Sequence, residues 1–403
     1  MSKSNIKSLS RLSLIKIVAN RIKAVNAGST QPVRDLYDYT PNRLAKQLHP
    51  HVQHLVVKEI IAHSPDCKSI LFAPDKEAGT KALAWFEAGQ YLVVNVEMDG
   101  KRYSRPYSIA SAPRDSLDGT YRLTIKRVQG GIVSNYILDH FAVGQKVVAS
   151  APLGDFTYQP LRDAHTVVGI AGGSGITPFR SLAHAIHQGD EDCRLVLLYG
   201  TRTLEDAIFS DEIAALASIN PAIQLVNVLS EEEKEGCEHG FISAELIAKY
   251  APKDEPFSVF MCGPQALYNF ADKEIAKMGL KRKYVRHELF GEYFHPERNP
   301  EYKGDVSGRY TVTVRMGGKT HTLTCQGDTT LLRAMEEAGL NPPSDCRSGR
   351  CGWCHAQLLS GEVFIPEEVD GRRLADKDFG YVHPCCAFPL SDVSLDVPAL
   401  PME

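Results

Sequence analysis

No stretch of this chain approaches the ~18 to 20 consecutive apolar residues that a membrane-crossing helix needs. The best apolar segment near the start, Leu12 to Ala19, is interrupted by Lys16 and makes a poor signal-peptide core. Net charge is also scarce: a formal −4 over 403 residues names no partner, and nothing in the sequence reads as a nucleic-acid surface. Internal repeats and low-complexity tracts are missing. The paired C-x2-C units, or Cys pair with His pair, of zinc sites are missing too. What remains is an ordinary soluble composition, 43% apolar and 23% charged, in a length that suits two to three domains each with its own core.

The cysteines are what stands out. Cys346, Cys351 and Cys354 are spaced C-x4-C-x2-C, with Cys385 and Cys386 about thirty residues downstream. Three thiolates on one short loop and a distant fourth form the plant-type [2Fe–2S] arrangement, which points to electron transfer. Gly349 and Gly352 leave room for backbone N–H groups to approach such a core. Spacing alone leaves the fourth thiol open between the adjacent Cys385 and Cys386. The other cysteines, Cys67, Cys193, Cys237, Cys262 and Cys325, are scattered. Unpaired thiols with an iron–sulfur motif imply a reducing compartment, so a cytoplasmic location is expected.

Residues 1 to 50 form a preface in which Leu9, Leu12, Ile15, Val18, Ile22 and Val25 recur at helical steps between Lys and Arg. A helix packed on the following domain is the expected outcome; a basic amphipathic helix facing a membrane or partner is the alternative. Residues 51–160 have the texture of an antiparallel β-barrel, with short runs such as His54–Ile61, Gln90–Val96, Tyr121–Val128 and Gln145–Ser150 and one helix near Ser134–Phe141. Residues 161–292 alternate strand and helix, with helices over Glu205–Ala217 and Pro264–Met278, as a covered parallel sheet requires. Residues 293–308 read as a linker. The domain over 309–403 opens with a hairpin at Gly317-Gly318 and a helix capped near Asp328 or Thr329.

Two further motifs carry chemistry. Arg105-Pro106-Tyr107-Ser108 supplies a cation for a flavin phosphate, a flat aromatic for its ring and a small hydroxyl near N5. Downstream, Gly130-Gly131-Ile132-Val133-Ser134 opens a helix, and such an N-terminus attracts a pyrophosphate, to which Ser134 adds a donor. The turn Gly172-Gly173-Ser174-Gly175-Ile176-Thr177-Pro178 joins a strand to a helix and suits a dinucleotide, with Pro178 where the third Gly of the usual fingerprint would stand.

With these motifs in this order, residues 51 to 400 resemble the ferredoxin–NADP reductase superfamily, in the form that carries a C-terminal plant-type ferredoxin domain. The resemblance implies a multidomain fold: an antiparallel β-barrel flavin domain, an α/β parallel-sheet nucleotide domain and an α+β (β-grasp) ferredoxin domain. It places Arg105, Pro106, Tyr107, Ser108, Gly131 and Ser134 on the flavin, and Gly173, Gly175, Thr177 and Pro178 on the nucleotide. Cys262-Gly263-Pro264 falls beside the nicotinamide. Glu288 and Phe290, in His287-Glu-Leu-Phe-Gly, match the acidic and aromatic pair near the flavin, so that Ser108, Cys262, Glu288 and Phe290 surround the reacting atoms. The stretch His383-Pro-Cys385-Cys386-Ala387 aligns Cys385 as the fourth ligand beside Cys346, Cys351 and Cys354.

FAD is favoured over FMN because the Gly131–Ser134 turn serves a second phosphate. In Thr201-Arg202-Thr203-Leu204-Glu205-Asp206, Arg202 suits a 2′-phosphate and two carboxylates repel one, which leans the choice to NADH over NADPH. The expected activity is hydride transfer from NAD(P)H to FAD, then single electrons through the cluster to an electron-accepting protein or small redox acceptor. A regulatory or structural subunit of a larger complex is the alternative. Arg347 and Arg350 are expected to form a basic rim around the cluster loop.

Overall fold

The computed structural model describes residues 11–29, 39–41, 45, 50–289 and 291–398, and of the first helix only side chains 16–25. The chain divides into a unit over Met1–Pro50 and another over His51–Glu403. The first holds helix α1, Arg11–Ser29. Its residues 16 to 25 are exposed, Ile17, Val18, Ile22 and Val25 by 51 to 62%. Among the described residues no helix is long and apolar enough to cross a membrane.

The second unit is built on three large sheets. In the first, β1 (Val52–Ser64), β2 (Cys67–Pro74), β3 (Tyr91–Met98), β4 (Lys101–Ser108), β5 (Tyr121–Lys126) and β6 (Lys146–Ser150) run antiparallel in the order β4-β3-β6-β1-β2-β5. A bridge between Ile109 and Leu123 joins the two edges. Buried and part-buried residues alternate along the start of β1, as a sheet with one face on a core demands. Helix α2, Ile132–His140, follows β5 and adds Val133, Ile137 and Leu138 to that core.

The second sheet is parallel throughout. Its strands are β7 (Thr166–Gly172), β8 (Arg194–Thr201), β9 (Ile223–Leu229), β10 (Glu238–His239), β11 (Phe257–Cys262) and β12 (Val285–Glu288), in the order β10-β9-β8-β7-β11-β12. All seven residues of β7 are buried because helices cover both faces: Val167 and Ala171 enter one core, Val168 and Ile170 the other. The covering helices are α3 (Thr177–Gln188), α4 (Ser210–Ile219), α5 (Ala244–Tyr250) and α6 (Gln265–Lys277). Helix α4 begins five residues later than its periodicity suggests. Asp206 accepts hydrogen bonds from the Thr203 N–H and hydroxyl, and Phe209 takes φ 62°, so a turn occupies the span expected to be helical.

The third sheet is mixed, β14-β13-β19-β15-β17, formed by β13 (Arg309–Met316), β14 (Lys319–Gln326), β15 (Ala356–Ser360), β17 (Tyr381–Val382) and β19 (Val393–Val397). A small pair, β16 (Val363–Phe364) with β18 (Phe388–Pro389), stands apart. Gly317 and Gly318, at φ 58° and 74°, turn the β13–β14 hairpin, since both central positions of its tight turn lie in the left-handed region. Helix α7, Leu331–Glu337, starts on a Thr330 cap and packs under β14. Residues 293–308 contain no strand or α-helix, yet they are pinned: the Tyr302 hydroxyl donates to Gly327 O at 3.0 Å and its ring packs on Phe364.

The first two sheets are tied by Arg180 on α3. This buried guanidinium donates to the Ala110 carbonyl of the barrel while holding Glu212 on α4.

Candidate functional site

Strand β4 ends at the mouth of a cleft of about 440 Å³ between the barrel and the parallel sheet. Arg105, Pro106, Tyr107 and Ser108 all line it. Opposite them, the chain leaves β5 at Lys126 and turns through Gly130 and Gly131 into α2. Gly131 occupies the cap position and Ser134 the first turn. The Ser134 hydroxyl oxygen accepts the Val128 N–H at 3.3 Å, so its own hydrogen is left to donate into the cleft.

The far wall is the carboxyl end of the parallel sheet, where such folds bind their ligands. Strand β7 runs into a tight turn, Gly173–Ile176, and then α3, with Pro178 in its first turn. Register places Ala171, Cys262 and Glu288 side by side on β7, β11 and β12. Gly173, Gly175, Thr177, Cys262, Gly263 and Pro264 line the cleft; Pro178 and Glu288 do not. Phe290 lies outside the described residues. Burial pushes the Cys262 thiol well up, with Glu288 adding to the shift. Burial likewise raises the Glu288 carboxyl, Asp155 and Cys346 reinforcing it and Arg350 opposing. The Tyr268 hydroxyl joins these two strand ends, accepting from Gly263 N–H at 3.0 Å and donating to the Glu288 carbonyl.

A second cleft of about 370 Å³ continues the first, sharing Lys126, Gly172, Gly173 and Pro264 with it. Arg202 lines this one and is two-thirds exposed, 3.4 Å from Asp206. Phe241 and Phe270 face each other at its rim with ring centroids 5.7 Å apart. Through these shared residues the two clefts form one groove.

The cysteine loop is the third part. Among the described residues no three His, Cys, Asp or Glu side chains gather as around a single ion. The thiols stand instead in two pairs: the Cys346 and Cys351 side chains are hydrogen-bonded to each other, with the Cys351 N–H also 3.3 Å from Cys346 Sγ, and Cys354 Sγ lies 3.3 Å from Cys385 Sγ. That grouping fits a two-iron core with two thiolates on each iron. Amides of Ser348 and Trp353 also point at Cys346 and Cys351 sulfurs, at 3.5 and 3.4 Å. A Cβ on Gly349, at φ 78°, would sit 2.1 Å from Val369 O, so only glycine lets this loop close. Cys386 Sγ turns away, toward the carbonyls of His383 and Val369 at 3.5 and 3.8 Å.

Several residues escaped the sequence. Lys126 sits at the seam of the two clefts, and Phe241 and Phe270 come together only through folding. Tyr91, cross-strand from Ser108, packs with Val93 against Cys346 and so joins the barrel to the cluster loop. One expectation fails outright. Arg347 is no surface rim: it is 1% exposed, held by Glu292 and Glu336, and only Arg350 of the two faces solvent.

Comparison with known proteins agrees with this division. Residues 54–158 match an oxidoreductase FAD-binding domain, 170–273 an oxidoreductase NAD-binding domain and 314–390 a 2Fe-2S iron-sulfur cluster binding domain. The chain is 31% identical over 346 residues to the ferredoxin reductase component of 3-ketosteroid-9-alpha-monooxygenase from Rhodococcus rhodochrous, covering 84% of this chain and 94% of that protein. It is 26% identical over 354 residues to the glycine betaine monooxygenase reductase of Chromohalobacter salexigens, covering 84% and 93%. Among solved structures, phthalate dioxygenase reductase superposes with a TM-score of 0.63 at 24% identity, over 86% of this chain and 98% of that one, a likeness of fold.

Proposed function

We propose that this chain, which belongs to the ferredoxin–NADP reductase superfamily of NAD(P)H-dependent oxidoreductases with a C-terminal plant-type [2Fe–2S] domain, serves as the reductase component of a multicomponent oxygenase. Its relatives include reductase components of a ketosteroid monooxygenase and of a glycine betaine monooxygenase. The observation that carries the reading is continuity. One groove runs from Arg202 to Arg105, and the strand pair at its end, Ser108 with Tyr91, abuts cluster ligand Cys346.

Arg105, Gly131 and Ser134 would hold the phosphates of FAD, and Tyr107 and Ser108 would meet its ring system. Gly173, Gly175 and Thr177 seat the nucleotide pyrophosphate, and Lys126 neutralises it. Cys262 walls the nicotinamide side, and Tyr268 ties its strand end to that of the buried Glu288 behind it, which keeps water from the transfer. Bound flavin supplies the conversion of one hydride into two single electrons, and the cluster held by Cys346, Cys351, Cys354 and Cys385 supplies the exit.

Anaerobic addition of NADH to cofactor-replete protein is expected to bleach the flavin and then the cluster absorbance. Flavin absorbance untouched by both NADH and NADPH sinks the reading, and leaves the regulatory-subunit alternative standing.

NADH is the preferred donor. Arg202 is already engaged by Asp206, whose carboxylate also repels a 2′-phosphate. Asp206→Asn should therefore raise the NADPH-to-NADH ratio of kcat/KM by about tenfold, equivalent to ~1.4 kcal/mol. An unchanged ratio removes Asp206 from the choice.

A further inference from the structure

Arg347 follows the first cluster ligand directly, at φ 57°, and its guanidinium is fully buried. A buried cation needs partners, and it has two. Glu336 on α7 meets it with both carboxylate oxygens, each at 2.8 Å, and Glu292 accepts its Nε–H at 3.0 Å. The same two carboxylates hold Arg105: Nη1 lies 3.1 Å from Glu336 Oε2 and Nη2 lies 3.3 Å from Glu292 Oε1. The four groups close a ring of alternating sign with balanced charge. Burial alone would raise the Glu292 carboxyl, but Arg347 and Arg105 bring it down to about 2, so it is ionised within the ring.

The members come from three places in the chain. Arg105 belongs to the barrel strand that faces the flavin cleft, Glu292 to the segment leaving the parallel sheet, and Glu336 and Arg347 to the cluster domain. Glu336 also accepts the Ser104 N–H at 3.4 Å, and Lys101 Nζ reaches the Glu337 carbonyl at 2.5 Å, so α7 lies along β4. Beside this contact Tyr91 and Val93 pack on Cys346.

We propose that Glu336 and Glu292 are positioning residues, which lock the cluster loop onto the flavin-bearing strand by sharing Arg347 and Arg105 and so hold the two redox centres at transfer distance. The assignment rests on the flavin occupying the cleft beside Arg105. Glu336 lies off the cleft, while Glu292 lines it beside Arg105. Removing one leaves the buried Arg347 and the part-buried Arg105 facing a single carboxylate, a charge imbalance that loosens the cluster domain from the strand.

The test is Glu336→Gln in the full-length holoprotein, mixed rapidly with NADH while flavin and cluster absorbance are followed separately. Flavin reduction is expected within about twofold of the parent and cluster reduction slowed at least about tenfold, as misplacement of an otherwise intact centre would cause. Iron content and the cluster spectrum should be unchanged, and protease cleavage within 293–308 accelerated. Glu292→Gln breaks the ring from the other side and, although Glu292 also lines the cleft, should slow cluster reduction more than flavin reduction, which keeps the test open should one variant fail to fold. Cluster reduction at the parent rate in a folded variant overturns the lock; so does flavin reduction falling in equal proportion. Failure of NADH to bleach flavin in the unaltered protein would instead defeat the reductase reading itself. The protease result stands independent of that outcome.

Discussion

Cys385→Ser is expected to yield protein without the visible absorbance of the [2Fe–2S] cluster, whereas Cys386→Ser keeps it. The two thiols are neighbours in sequence with different surroundings. Cys385 Sγ stands 3.3 Å from Cys354 Sγ, completing the second of two thiol pairs, while Cys386 Sγ lies against the carbonyls of His383 and Val369. Both are 1% exposed, so burial does not separate them; direction does. A serine at 386 faces the His383 carbonyl and removes neither member of the Cys354–Cys385 pair. A serine at 385 leaves one iron a ligand short. Since loss of mere outer-shell partners costs ~10–100-fold in metal affinity, loss of a ligand should reduce cytochrome c reduction by more than about a hundredfold. Direct reduction of ferricyanide by the flavin should persist within about twofold, because the nucleotide and flavin groove lies on other elements. A cluster retained in Cys385→Ser, or lost in Cys386→Ser, would reverse the assignment.

That choice shows which parts of the molecule the sequence makes legible. A cluster loop, a strand-to-helix glycine turn and a hairpin are local: their chemistry and spacing lie within about ten residues, so Cys346–Cys354, Gly172–Pro178 and Gly317-Gly318 could be read before any fold was known. The alternation of strand and helix was equally plain, because a parallel strand such as β7 is apolar on both faces. What stayed hidden depends on separation. Arg347 looked like a surface cation because nothing nearby neutralises it; its carboxylates are 11 and 55 residues away. Tyr91 reads as one more strand aromatic until its pairing with Ser108 and its packing on Cys346 are seen together. Helix α4 was misplaced at its start because the Asp206 side chain competes for backbone groups that a helix would use. The stripe of α1 is legible as helical because its spacing is local.

The nucleotide turn supplies the other large effect. Gly175→Ala should slow bleaching of the flavin by NADH about a hundredfold, the size of loss that a 1 Å misplacement of a reacting partner produces. A Cβ at Gly175 would lie 2.1 Å from Cys262 O, 2.4 Å from its carbonyl carbon and 2.7 Å from Gly263 N. These are backbone atoms at the end of β11, anchored by the register of Cys262 with Ala171 and Glu288, and cannot swing aside as a side-chain tip does. The methyl must push the turn off the Cys262-Gly263 peptide, which spoils the seat of the pyrophosphate and the approach of the nicotinamide together. Overpacking of this kind costs ~1–3 kcal/mol of stability, too little to unfold the chain. Flavin content, cluster absorbance and reduction of both centres by dithionite should therefore survive. Gly173→Ala is the control that separates steric contact from backbone strain. Its φ of 52° is left-handed, but its nearest neighbour would be the flexible Lys126 Nζ at 3.7 Å. The cost there is the ~1–2 kcal/mol of a non-glycine residue in that region, with no displacement of the turn. If the two variants slow hydride transfer equally, the close approach of Gly175 to Cys262 is not what seats the nucleotide; if only Gly175→Ala does, the backbone contact between the turn and β11 is the feature that aligns donor and flavin.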